Sequence, residues 1–367
     1  MTVQNLTKSQ RRDRMKKILS VSVVLLLAAA VVFAGGQGEK PAAKGKAETR
    51  IAAMATDVGG LGDKSFNDGA YAGLVMGKDL GFEARVIESN QQTDYIPNLT
   101  GLAEDGSDVV FAVGFLMEEA VKESAKMNPD TYFGGIDIGG DPDIPNFQGI
   151  LYREEQSGFL AGIVAGLMTS KYADASPKLN PDPVVGVVLG MLVPPVERYE
   201  VGFIQGVKYV DPKVRVLSVT VGDFADQARG REAAVAMIEQ GADIIFPAAG
   251  LTGLGSIQAA RENGVLAIGV DVDQNNVAPD TVLTSAIKKI PESVYVVLES
   301  IVNGNFEGGT KVYGLAEDAA GLAPFHGFEG MVPQAVKDAV EKAKAGILSG
   351  DIKIATSRSE IKDLIDK

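Results

Sequence analysis

Short apolar runs rich in β-branched residues recur from residue 50 onward, and helical segments separate them. Several of these runs are almost wholly apolar, which is typical of parallel strands that are covered on both faces. An alternation of strands and helices predicts doubly wound parallel sheets. The predicted strands are 51–55, 84–88, 108–114, 132–137, 147–152, 184–190, 214–221, 243–247, 266–271, 282–287 and 311–315. The predicted helices include 67–80, 117–127, 157–168, 197–209, 227–240, 256–263 and 332–348.

The predicted strands fall into two comparable series, which indicates two similar lobes. The chain has 367 residues, whereas a single hydrophobic core stops growing at about 250–300 residues. We therefore predict an α/β protein with two doubly wound, Rossmann-like lobes. The first lobe is predicted to contain residues 50–155 plus about 285–322, and the second 156–284 plus about 323–367.

The composition argues against several classes of function. Asp and Glu number 48 against 35 Lys and Arg, a net charge of −13, and a nucleic-acid partner would need a basic face instead. The absence of cysteine removes thiol nucleophiles, iron–sulfur clusters and nearly all structural zinc sites. A single histidine, His326, argues against a Ser-His-Asp triad and against a multi-histidine metal centre.

The patterns for calcium and for nucleotide cofactors are incomplete, so we predict neither a metal nor a cofactor. The run Asp271-x-Asp273-x-Asn275 begins like a calcium loop but lacks the glycine at position six and the glutamate at position twelve. Residues 60–65 lack the third glycine of a dinucleotide fingerprint, and the chain contains no G-x-x-x-x-G-K-[ST].

The first 34 residues have the pattern of an export signal. Six basic side chains precede an apolar run at 18–34, and the small residues at its end predict cleavage after Ala34. Met15 is a second candidate start beside Met1. A retained N-terminal anchor stays open as the alternative, because an apolar run of this length lies at the lower limit of a spanning helix.

Residues 35–49 carry Gly, Pro, Ala and charged residues without large apolar side chains, which predicts a flexible linker. Because no cysteine follows the apolar run, we predict that the chain is not acylated there. The cleaved chain would carry 29 basic and 47 acidic residues, a net charge of −18. These features predict a periplasmic or extracytoplasmic location.

Carboxylates, aromatic rings and glycines collect where the predicted strands end. In open α/β sheets, ligands bind beyond the carboxyl ends of the strands. Carboxylates accept paired hydrogen bonds from sugar hydroxyls or base N–H groups, and aromatic rings stack on flat bases. These positions carry no basic clamp for phosphate, which favours a neutral ligand that is planar or rich in hydroxyls. The candidates are Asp57, Phe115, Asp137, Phe224, Gly250 and Asp271.

The run DVGGLGDKSFNDG at 57–69 resembles the D-x-G-G-x-x-D-K-S-F-N signature of the basic membrane protein family, also called PnrA-like purine nucleoside receptors. The resemblance covers about residues 50–360, and it implies a type I periplasmic binding protein fold whose two lobes are joined by a hinge. Such a protein delivers its ligand to an ABC importer. Further motifs match in order at 113–117, 157–162, 199–206, 224–230, 248–255, 269–274 and 284–288.

The resemblance also implies how a base would be held. Asp57 and Asn67 would hydrogen-bond the edges of the base, and Phe66 would form one wall. Phe224 would form the opposite wall, and Phe203 is a weaker candidate for which packing is the favoured interpretation. From the residues alone, Asp57 is equally suited to capping the following helix, and Phe66 to packing at the helix start.

For the sugar, the resemblance implies three residues. Gly250 would let the backbone approach the ligand, Asp271 would accept the ribose 2′- and 3′-hydroxyls, and Lys288 would donate to the sugar.

We therefore predict a binding protein and not an enzyme. It would capture a purine nucleoside between two closing lobes, act as a monomer and dock on a membrane permease. Guanosine, inosine, adenosine and other small polar ligands all stay open. The alternatives are a sensor domain of the same fold and a nucleoside hydrolase that uses Asp271 and Asp273.

Overall fold

The computed structural model describes residues 49–365. The predicted export signal, both candidate starts and the predicted linker up to residue 48 lie outside the described residues. No helix within the described range has the length and apolar character needed to cross a membrane.

Twelve strands are present in the described part of the chain, and each of the eleven predicted strands overlaps one of them. In chain order they are β1 (Arg50–Thr56), β2 (Phe82–Ile87), β3 (Val109–Val113), β4 (Tyr132–Ile136), β5 (Phe147–Tyr152), β6 (Val184–Leu189), β7 (Arg215–Thr220), β8 (Ile244–Ala248), β9 (Leu266–Asp271), β10 (Val282–Lys288), β11 (Gly309–Tyr313) and β12 (Ala320–Leu322).

Most α-helices of the described residues fall between these strands, and two follow the last strand, so the predicted strand–helix alternation is confirmed. They are α1 (Phe66–Met76), α2 (Tyr95–Glu104), α3 (Glu118–Met127), α4 (Glu154–Lys171), α5 (Pro194–Val210), α6 (Gln227–Ile238), α7 (Leu251–Glu262), α8 (Ile290–Val302), α9 (Gln334–Ser349) and α10 (Lys362–Ile365). Helices α2, α8 and α10 and strand β12 were not among the predicted segments.

The strands form two six-stranded sheets, in the orders β11-β5-β4-β3-β1-β2 and β12-β10-β9-β8-β6-β7. The pairings recorded in these sheets are parallel, apart from the antiparallel pair of β10 and β12. Both sheets are covered on both faces, as the apolar strands require. In β1, for example, Met54 packs into one core and its neighbours Ala53 and Ala55 into another. The predicted fold of two doubly wound lobes is therefore confirmed.

The crossings between the sheets differ by a few residues from the predicted lobe boundaries. The boundary predicted at about 285 falls inside β10, which pairs with β9 in the second sheet, so the chain returns to the first sheet only after Lys288. Strand β11 then pairs with β5 in the first sheet. The antiparallel strand β12, predicted for the first lobe, pairs with β10 in the second.

Helices α4 and α5 of the second lobe pack along a seam of glycines. A Cβ atom at Gly162 would lie 2.2 Å from the backbone oxygen of Phe203, and one at Gly206 would lie 2.0 Å from that of Phe159. At Gly202, the distance to the backbone oxygen of Glu155 would be 2.2 Å. The two backbones therefore touch directly, and only glycine allows this approach.

We expect Gly162→Ala to destabilise the protein by about 1–3 kcal/mol, because the added methyl group overpacks a backbone contact that cannot yield. Urea unfolding followed by circular dichroism measures the loss. Gly101→Ala is the matched control, since Gly101 is also helical but a Cβ there meets no atom within 4 Å. This control should gain about 0.5–1 kcal/mol from helix propensity. A Gly162→Ala variant that is more stable than the wild type would contradict the direct backbone contact between α4 and α5.

Candidate ligand-binding cleft

The carboxyl ends of the strands from both sheets enclose one cavity, which contains about 590 Å³ of empty space including its mouth. This is the position at which doubly wound sheets bind ligands. The structure brings nine of the sequence-predicted site residues to its lining. They are Asp57, Phe66, Asn67, Phe115 and Asp137 from the first lobe, and Phe224, Gly250, Asp271 and Lys288 from the second.

Two aromatic rings reach the cavity from opposite lobes. Phe66 begins α1, and Phe224 lies in the loop after β7, where its ring covers Gly190. A Cβ atom at Gly190 would lie 2.3 Å from Cδ1 of Phe224. Phe203, for which packing is favoured over a place in the wall, has a fully buried ring that stacks on Phe246 with centroids 5.0 Å apart, so the packing prediction is confirmed. It belongs to the core because its face of α5 points at the sheet.

The polar groups beside Phe66 separate into a capping residue and a cavity residue. Asp63 caps α1, because its carboxylate accepts hydrogen bonds from the amides of Ser65, Asn67 and Asp68 at 2.8–3.1 Å. Asp57 instead accepts the amide of Gly59 at 2.9 Å and lines the cavity. The alternative that Asp57 caps the helix is therefore wrong.

Asp57 and Asn67 form a buried polar edge of the cavity. Burial raises the pKa of Asp57 to about 6, although hydrogen bonds from Gly59 and Asn67 oppose the rise. Asn67 is 3% exposed, and its Oδ1 has no hydrogen-bond partner among the described residues. A buried polar atom without a partner is costly. This oxygen is thus placed to accept a hydrogen bond from a ligand in the cavity.

Lys288 lies at the floor of the cavity among three carboxylates. Its Nζ is 2.8 Å from both carboxylate oxygens of Asp137, 3.2 Å from Oε1 of Glu154 and 3.9 Å from Oδ1 of Asp271. Burial alone would lower the pKa of this lysine, but the three carboxylates outweigh it and raise the pKa above its ordinary value. The ammonium group therefore stays charged.

The pKa of Asp137 reflects a balance between burial and the neighbouring charges. It is raised to about 7, chiefly by burial; the charge of Lys288 opposes the rise, and the charge of Glu154 adds to it. Glu154 also accepts a hydrogen bond from Nε of Arg198 at 2.6 Å. This second cation compensates the third carboxylate in part.

Asp271 is held by groups from both lobes. Ser65 Oγ of the first lobe lies 2.7 Å from its Oδ2, and the hydroxyl of Tyr199 donates to its Oδ1 at 3.2 Å. Ser65, Glu154 and Tyr199 were not among the predicted site residues. Ser65 and Tyr199 do lie in the matched motifs at 57–69 and 199–206, so the sequence motifs already indicated the segments that contain them.

Two doubly wound lobes that enclose a polar, aromatic-walled cleft at their strand ends form the architecture of solute-binding proteins. Within this class, the chain belongs to the Bmp family of PnrA-like ABC transporter substrate-binding proteins, whose family model matches residues 50–363. The family resemblance that the signature indicated is therefore confirmed.

Two proteins of similar sequence and one of similar structure illustrate what this chain resembles. A CD4+ T-cell-stimulating antigen of Listeria monocytogenes is 31% identical, over 92% of this chain and 98% of that protein. The ABC transporter nucleoside-binding protein BmpA of Lactococcus lactis subsp. cremoris is 30% identical, over 92% of this chain and 99% of its own length. The crystal structure of an ABC transporter solute-binding protein from Aeropyrum pernix K1 has a TM-score of 0.78 at 26% identity, covering 86% of this chain and 97% of that one.

We expect Lys288→Met to destabilise the protein by about 3–5 kcal/mol at pH 8, because it leaves buried carboxylates without their cation. The loss should be smaller at pH 5, where the abandoned carboxyl groups can take up protons. Chemical denaturation at the two pH values measures both losses.

The control for this lysine is Lys289→Met, which breaks an exposed pair with Asp318 at 2.7 Å and should change stability little at either pH. Equal losses of stability for Lys288→Met at pH 5 and pH 8 would show that the loss does not come from buried carboxylates left without their cation.

Proposed function

We propose that the protein is the extracytoplasmic receptor of an ABC importer and captures a purine nucleoside between its lobes. One observation carries this proposal: two phenylalanine rings from opposite lobes face a single cavity whose floor holds buried carboxylates and a buried lysine. The name of the nucleoside-binding relative from Lactococcus lactis supports the same ligand class.

In this proposal the base lies between Phe66 and Phe224. Stacking needs two flat faces, and rings from opposite lobes provide them once the lobes close. Asp57 and Asn67 hydrogen-bond the edge of the base, with the unpartnered Oδ1 of Asn67 as one acceptor. Phe115, which lines the cavity beside Gly114, closes this side.

The sugar lies at the floor of the cavity. Asp271 accepts hydrogen bonds from the 2′- and 3′-hydroxyls, and Lys288, held by Asp137, donates to the sugar. Gly250 has a φ of +58°, a backbone conformation that suits glycine and brings the main chain to the ligand without a side chain.

The lobes act as the moving parts of the receptor. We propose that residues 50–155 and the returning segment from α8 to β11 move together, and that the remaining described residues form the other body. The chain crosses between the sheets after β5, after β10 and between β11 and β12. These three short connections supply the hinge, and closure presents both lobes to the permease.

The location and transport role rest on the sequence together with the family. The N-terminal export pattern supports an exported protein, and the lack of cysteine supports one that is not acylated at its start. Family membership supports a membrane permease as the partner. We propose a monomeric receptor, since one chain supplies every residue of the cleft described above.

Isothermal titration calorimetry tests the ligand class directly. The purified protein is titrated with inosine, guanosine and adenosine, and in parallel with ribose, free purine bases, amino acids and inosine 5′-monophosphate. At least one nucleoside should bind, and the monophosphate should bind on the order of 100-fold more weakly, because the cavity carboxylates repel an added anion. Binding of another class with no response to any purine nucleoside would refute the proposal.

We expect Phe66→Ala to weaken nucleoside affinity at least about 10-fold, because base–aromatic stacking contributes about 1–3 kcal/mol. Calorimetry with the best-bound nucleoside measures the loss. The matched control is Phe306→Ala, which removes a ring of the first lobe that contacts the ring of Tyr132 and is not among the described residues that line the cavity. Its affinity should match that of the wild type, and an unchanged Phe66→Ala variant would place the base elsewhere.

A further inference from the structure

Ser65 is a buried residue of the first lobe whose hydroxyl contacts the second lobe. It immediately precedes α1 and is fully buried. Its Oγ lies 2.7 Å from Oδ2 of Asp271 and 3.1 Å from the backbone oxygen of Val270. A serine hydroxyl carries one hydrogen, and the shorter, charged acceptor is the stronger partner.

The local role expected of this serine is already filled by another residue. A serine at the start of a helix ordinarily caps it. Here the carboxylate of Asp63 accepts hydrogen bonds from the amides at the start of α1. The side chain of Ser65 makes no capping hydrogen bond within the described chain. The hydroxyl is therefore committed to Asp271.

Asp271 needs such support because of its position. It is 7% exposed and has a φ of +65°, an uncommon backbone conformation outside glycine. Tyr199 of its own lobe donates to Oδ1, while Oδ2 receives its hydrogen bond from Ser65. The two donors together fix the plane of the carboxylate, so its remaining lone pairs point in a defined direction.

We propose that Ser65 is a positioning residue that reaches across the lobes and orients Asp271 towards the hydroxyls of the sugar. This inference rests on the proposed function. Ser65 is absent from the cavity lining among the described residues, so it acts through Asp271 and not on the ligand.

The same loop carries a second bond between the lobes. Nε2 of Gln274, after β9, donates to the backbone oxygen of Lys64 at 3.1 Å. The loop that presents Phe66 to the base is thus fastened to the strand end that presents Asp271 to the sugar. Recognition of the sugar consequently depends on the lobes being closed.

The test compares a ribonucleoside with its 2′,3′-dideoxy analogue. Calorimetry is run on the wild type, Ser65→Ala and the control Ser124→Ala, with inosine or guanosine, whichever binds more tightly, and the corresponding dideoxynucleoside. Ser124 is also fully buried and hydrogen-bonded in the first lobe, and it is absent from the cavity lining in the described residues. Ser65→Ala should weaken the ribonucleoside about 10-fold and the dideoxynucleoside less than about 2-fold. Ser124→Ala should change neither.

A ligand-free measurement tests the bond itself. The unfolding equilibrium constants of the wild type, Ser65→Ala, Asp271→Ala and the double variant form a double-mutant cycle, and we expect a coupling of about 10-fold. Additive effects in this cycle overturn the inter-lobe bond. Equal losses for both nucleosides in Ser65→Ala, or no loss, overturn the positioning role while the proposed function stands. A wild-type protein that binds no purine nucleoside overturns both.

Discussion

The buried ammonium group of Lys288 is the interaction on which the cleft depends. It lies at the end of β10, and its partners come from the end of β4, the start of α4 and the end of β9. These are the points where the chain passes between the lobes or turns towards the ligand. Removing so many charges from water costs more than any single pairing returns. The cluster is therefore stable only as a complete set, and the set fixes where strand ends from both lobes meet.

The cleft is built from two copies of one architecture that carry different chemistry. The strand orders β5-β4-β3-β1-β2 and β10-β9-β8-β6-β7 correspond position by position. Asp137 follows β4 and Asp271 ends β9, and both have positive φ values, 64° and 65°. Tyr152 ends β5 where Lys288 ends β10, and the lysine lies over the tyrosine ring at 4.9 Å from its centroid. One framework thus supplies two carboxylates facing a single cation.

Much of the fold and part of the site could be predicted from the sequence because both depend on local patterns. Apolar strands such as Val184–Leu189 are recognisable from their composition, Asp57 directly follows a strand, and Asp271 ends one. Tyr199 and Glu154 could not be found in this way, since they lie on helices and meet Lys288 or Asp271 only in the folded chain.

The glycine seam between α4 and α5 holds these two helices in a fixed position relative to each other. Helix α5 presents Tyr199 to Asp271, and α4 begins with Glu154 beside Lys288. Since backbone lies on backbone along the seam, neither helix can turn about its axis without collision. This wall of the cleft behaves as a rigid template of fixed shape. Adaptation to a ligand of different outline must then fall on the loops that line the cavity, such as those that carry Phe66 and Phe224.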